Sequence, residues 1–79
     1  MKHHQTATVI REAIKQAARE CGVVPSRAHL PPERDREGKA ARDIAIRLAF
    51  DQGIPRCDLA EAFQRTRRTI TAALSLSTP

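Results

Sequence analysis

From Phe63 to Leu74 the chain reads FQRTRRTITAAL, so that Arg65, Arg67 and Arg68 crowd around Thr66, and Thr69, the β-branched Ile70 and Thr71 follow. Arginine offers a planar fork of donors that matches phosphate oxygens and the O6 and N7 of guanine. Threonine offers a hydroxyl to several bases and a methyl to thymine. The first turn of a helix already carries the positive end of the backbone dipole, so a cation there opposes the fold by about 0.3 to 1 kcal/mol. Such a placement points to an anion outside the fold. The candidate base-reading set is Arg65, Thr66, Arg67, Arg68, Thr69 and Thr71. A plain solvated helix face has the same composition, and Thr66 caps a helix whether or not DNA is present.

The elements that must hold this set are legible around it. Thr66 suits the N-cap of a final helix in which Ile70, Ala73 and Leu74 face inward while Arg67, Arg68 and Thr71 face out. Ahead of it, IPRCDLAEAF sets Leu59, Ala60, Ala62 and Phe63 at the spacing of a short packed helix, with Pro55 near its first turn and Asp58 early in it. Two short helices separated by a turn of about three or four residues make a helix-turn-helix, expected here at about 55–76. In that motif the second helix enters the major groove and the first crosses the backbone. Gln64 stands where glycine is usual because a positive φ is cheap there, so a strained or differently shaped turn is expected.

Upstream, Val9, Ile10, Ala13, Ile14, Ala17 and Ala18 recur at three and four residues and predict a helix from Thr6 to Glu20, capped by Thr6 or Thr8 and stopped by Gly22. Pro25 and Ser26 open a short helical turn that Pro31 and Pro32 end. The charged run PPERDREGKAAR reads as an exposed loop through Gly38, in preference to an acidic first turn starting at Pro32. From Lys39 to Asp51, Ala41, Ile44, Ala45, Leu48 and Ala49 line one face of a central helix, with Ile46 and Phe50 as a second apolar flank. Asp43 and Arg47 are spaced for an i,i+4 ion pair, and Gly53 ends the helix. The expected architecture is all-α, a bundle of four to five helices. Residues 1–5 form a flexible N-terminus, 6–76 the single domain and 77–79 a tail.

At 79 residues the domain buries only about 60% of its unfolded surface. With no Tyr or Trp and two Phe, small aliphatic residues must fill the core. Fourteen Lys and Arg against nine Asp and Glu give a net charge of +5, which suits a polyanionic partner. Cys21 and Cys57 belong to no C-x-x-C pair and read as reduced thiols of a cytoplasmic protein. No apolar run has the length of a membrane span, and the hydrophobic stretch of a signal peptide is missing. His3 and His4 could chelate a metal only weakly, so no metal site is expected. No phosphate-binding glycine loop or catalytic constellation stands out, which argues against a nucleotide, a cofactor or an enzyme.

The stretch ARDIAIRLAFDQGIPRCDLAEAFQRTRRTI, Ala41 to Ile70, resembles the C-terminal DNA-binding domain (domain IV) of the bacterial replication initiator DnaA. It is similar in particular to small stand-alone proteins with that domain's Trp-repressor-like fold. ARDIAIRLA follows the family's A-R-x-[IV]-A-[MI]-x-L-A helix, and LAEAF matches loosely at Leu59 and Phe63. QRTRRTI follows its G-R-D-[HR]-T-T-V signature with Gln64 for Gly, Thr66 for Asp and Arg68 for the first Thr. The resemblance implies that Arg65 reads a guanine and that Arg67 and Thr69 contact neighbouring bases. It further implies that Arg34, Arg36, Lys39 and Arg42 hold the minor groove and phosphates. The expected function is sequence-specific binding of double-stranded DNA, by a small transcriptional regulator or a competitor at initiator-type sites. The alternative is a protein-interaction module, for example a mobile-element product that occupies a host factor. It is suggested by Glu33, Asp35 and Glu37 within the basic loop, by Thr66 in place of Asp, and by Ile46 with Phe50 as uncovered apolar surface, a flank that would also serve a homodimer.

Overall fold

Alanine at every third or fourth position lets helices approach closely, and the computed structural model, which describes residues 2–76, is built on that approach. Five helices occur among the described residues: α1 Lys2–Cys21, α2 Pro25–His29, α3 Arg36–Asp51, α4 Arg56–Ala62 and α5 Arg67–Leu76. No strand occurs among them. The fold is thus a small all-α bundle. α3 is the central element, contacted by all four others. Ala41, Ala45, Ile46 and Ala49 on it have no exposed surface, and they share one buried cluster with Ile10, Ala13, Ile14, Ala17 and Ala18 of α1. From the other side α4 and α5 add Leu59, Phe63, Ile70, Ala73 and Leu74, each close to fully buried. Burial of each larger side chain contributes about 1.5 to 3 kcal/mol, so a few such residues make most of this core. No helix among the described residues is long and apolar enough to cross a membrane.

One device ends three of the helices. After α1, the Val23 amide donates to the Ala18 carbonyl at 2.9 Å and the Gly22 amide to the Arg19 carbonyl at 3.3 Å, with Gly22 at φ +69°. After α3, Ile54 donates to Ala49 at 3.2 Å and Gly53 to Phe50 at 2.9 Å, with Gly53 at φ +100°. Both are Schellman closures, in which a left-handed residue turns the chain so that the last carbonyls are satisfied. Glycine holds that position at both ends. After α4 the same pair of bonds recurs, Arg65 to Ala60 at 2.9 Å and Gln64 to Glu61 at 3.2 Å, but the left-handed residue is Gln64, at φ +52°.

The expected elements are present, with four differences. α1 starts at Lys2, ahead of Thr6 and Thr8, so of the N-terminal segment expected to be flexible residues 2–5 belong to the helix. The expected loop ends at Asp35, short of Gly38: Arg36 to Gly38 form the first turn of α3, because Asp35 caps the helix by accepting from the Gly38 amide at 2.9 Å. Asp43 takes Arg42, its neighbour in sequence, and Arg47 pairs with Asp51 one turn on, at 3.3 Å. The flank at Ile46 and Phe50 is not uncovered either. Ile46 has no exposed surface, and Phe50 lies half-buried with the Arg56 guanidinium 5.1 Å above its ring. Of this flank only part of the Phe50 ring reaches the surface. Met1, the expected tail at 77–79 and the side chains of His3 and His4 lie outside the described residues.

Candidate nucleic-acid interface

The four residues 63–66 between α4 and α5 are fixed at both ends. Phe63, fully buried, anchors the end of α4, and the Schellman bonds at Gln64 and Arg65 turn the chain away from it. His29 of α2 reinforces that end. Its Nε2–H donates to the Ala62 carbonyl at 2.7 Å, and its ring stands edge-on to Phe63 with centroids 5.6 Å apart. At the start of α5 the Thr69 amide donates to Oγ1 of Thr66 at 3.3 Å, and the two threonine hydroxyls lie 3.2 Å apart. Thr66 therefore caps α5 as its position predicts. Ile70, Ala73 and Leu74 face the core, which turns Arg65, Thr66, Arg67, Arg68 and Thr71 into solvent, with Thr69 half-buried beside them.

The charge at this tip is uncompensated. The first turn of α5 carries no acidic residue, and none of Arg65, Arg67 and Arg68 pairs with a carboxylate among the described residues. The start of α3 is built the opposite way. Asp35 caps it and Glu37 follows in its first turn, both favourable to the helix dipole. Asp35 accepts two hydrogen bonds from Arg27 of α2, from Nε and Nη2, each at 2.7 Å. This bidentate guanidinium, seconded by the Gly38 amide, holds the Asp35 carboxyl down at about 2 against an ordinary 3.8, and it lifts Arg27 in turn. Glu37 approaches the same guanidinium at 3.8 Å.

The expected phosphate-side set divides here. Arg34 and Arg36 are exposed, next to Glu33 and Glu37, and Lys39 is half-buried. Arg42 is only 8% exposed, and its guanidinium turns onto Asp43, with Nη2 at 3.2 Å. The reason is its register: Arg42 lies three and seven positions before Ala45 and Ala49 on the buried stripe of α3. Arg42 therefore offers less of its guanidinium to an outside phosphate than Arg34 and Arg36 do. Four further residues shape the site through contacts that no sequence period marks. Arg27 and Asp35 are eight apart and belong to no common period, and His29 finds Ala62 across thirty-three positions. Arg56, stacked over Phe50, adds an exposed cation at the start of α4. Through Arg27 and His29, the five-residue helix α2 grips both the start of α3 and the turn after α4.

Among the described residues no group of His, Cys, Asp and Glu is arranged to hold a metal ion, and Cys21 and Cys57 are both free thiols. Compared with family models, with curated proteins and with solved structures, the chain matches none of them.

Proposed function

We propose that this chain is a sequence-specific double-stranded DNA-binding protein in which α4, residues 63–66 and α5 act as a helix-turn-helix. The observation that carries this reading is the exposed, unpaired arginine cluster at the capped start of α5. The start of α5 lodges in the major groove, Arg65 and Arg67 contact base edges, and Arg68 meets a neighbouring base or phosphate. Arg34, Arg36 and Lys39 supply weaker, sequence-independent phosphate contacts, diluted by Glu33 and Glu37. The DnaA-like stretch from Ala41 to Ile70 supports an initiator-type site, with the protein acting as a small regulator or as a competitor there. It is a reader without a motor or a catalytic centre.

Selection from a random duplex pool tests the proposal and recovers the preferred sequence. On that sequence Arg65→Ala should weaken binding by about 1 to 3 kcal/mol and relax the preference at one position, whereas Lys39→Ala should weaken all duplexes alike. The logarithm of affinity should fall with the logarithm of salt at a slope of about −0.9 per phosphate neutralised. An Arg65→Ala protein that binds every duplex as tightly as the unaltered chain would refute the assignment.

A further inference from the structure

A groove of about 440 Å³ runs between α1, α2 and the end of α4, and none of Arg65, Arg67 and Arg68 lines it. Its floor is apolar, made by Ile10, Ile14 and Ala62. The α1 side of its rim is cationic: Arg11 and Lys15, four apart, both exposed, stand on the same edge. No carboxylate among the described residues lines it. Glu12, which does not line the groove, approaches Lys15 at 3.7 Å, with both side chains more than half exposed. The volume falls in the range of about 300 to 1,000 Å³ typical of small-molecule sites, where an apolar wall takes the body of a ligand and a few polar groups orient it.

We propose that this groove binds a small amphipathic organic anion, an aliphatic or aromatic body carrying a carboxylate, with the body on Ile10, Ile14 and Ala62 and the carboxylate at Arg11 and Lys15. Two features select that chemistry. An uncharged apolar ligand leaves both cations unused, and an inorganic anion leaves the floor exposed to water. The far wall of the groove is His29, the residue that holds the Ala62 carbonyl and abuts Phe63. Ala62 is both part of the floor and the last residue of α4. Occupancy therefore bears on the hydrogen bond that fixes the turn at 63–66, and the groove is an effector site for that turn whatever the turn itself binds.

Decanoate, kept below its micellar concentration, is the probe, followed by amide and side-chain NMR of the full chain. Saturable shifts are expected at Ile10, Ile14 and His29, and a second set at the Gln64 and Arg65 amides. Ala7 lies exposed on the groove edge, so Ala7→Trp lays an indole into the groove without touching the core and should abolish the shifts. The double variant Arg11→Glu, Lys15→Glu should weaken decanoate about tenfold at low salt and less at high salt. Absence of saturable shifts in the unaltered chain overturns the site. Equal affinity in the charge-reversed variant overturns the anion, and shifts confined to the groove overturn the link to the turn. Adsorption to anionic phospholipid vesicles in place of saturable decanoate binding would also sink the proposal. None of these readouts uses DNA, so a failure here leaves the DNA reading untouched, and the reverse holds as well.

Discussion

Gln64→Gly should stabilise the protein although it deletes a side chain. A residue with a Cβ held in the left-handed region costs about 1 to 2 kcal/mol against its right-handed alternatives, and Gln64 sits there at φ +52°. Glycine removes that cost but frees the unfolded chain, which returns about 0.5 to 1 kcal/mol. The Gln64 side chain is exposed, so no buried contact is lost with it. The net gain spans about 0 to 1.5 kcal/mol and centres on ~0.75 kcal/mol, or roughly 3 to 6 °C in Tm for a domain of this size. Gly22→Ala and Gly53→Ala run the exchange in the opposite direction at equivalent helix ends. A methyl built on either glycine meets no atom within 4 Å, so any loss there reports backbone conformation alone. Urea and thermal unfolding of all three variants measure the cycle. If both alanine variants lose stability while Gln64→Gly fails to gain any, the left-handed turn is not strained and the reasoning about it is wrong.

Other perturbations test the supports of the site. Asp35 has a folded pKa of about 2, below its ordinary 3.8, so its contribution to stability is present above pH 3.8 and is lost as pH falls through about 2; the Tm difference between the unaltered chain and Asp35→Asn should shrink to nothing across that window. Gly38→Ala drives a methyl to 2.5 Å from Oδ2 of Asp35 and 2.9 Å from the Arg27 carbonyl, and this overpacking should cost about 1 to 3 kcal/mol in urea unfolding. His29→Ala removes the bond to Ala62 and the edge contact with Phe63, for a loss of about 1 to 3 kcal/mol with faster amide exchange at Gln64 and Arg65. Phe63→Ala empties a fully buried site and should cost about 3 to 5 kcal/mol in the same measurement.

What could be read from the chain was what repeats along one helix. The stripe Ile10, Ala13, Ile14, Ala17 and Ala18 and the Thr66 cap depend on contacts within four residues, and each is where its period put it, whereas the buried face of α3 is turned toward Ile46 and leaves Ile44 and Leu48 half-buried. What could not be read depends on pairing between helices. PPERDREG looks like a loop because its prolines and charges carry no apolar period. Asp35 nevertheless nucleates α3 there, because Arg27, on another helix, fixes its carboxylate while the Gly38 amide takes the cap bond. Arg42 looks like a free cation because charge is normally a surface property. Its place in the Ala45 and Ala49 register overrides that expectation, and only the neighbouring Asp43 makes the burial tolerable.

Two of this chain's departures from local preference are adjacent. Helix ends after α1 and α3 use glycine for the left-handed residue, and the end after α4 uses glutamine. The start of α3 carries Asp35 and Glu37, and the start of α5 carries Arg65, Arg67 and Arg68 with no acid in its first turn. Each departure alone has a plain thermodynamic cost, about 1 to 2 kcal/mol for the backbone and a fraction of that for each cation. The same chain solves both problems cheaply elsewhere, so composition does not force them. Strain and uncompensated charge coincide on Gln64 to Arg68, over a turn pinned by Phe63, His29 and Thr66, and fit the anion-reading tip proposed for it. An accidental basic surface would be expected to show one departure without the other, and would not need its turn held from both sides.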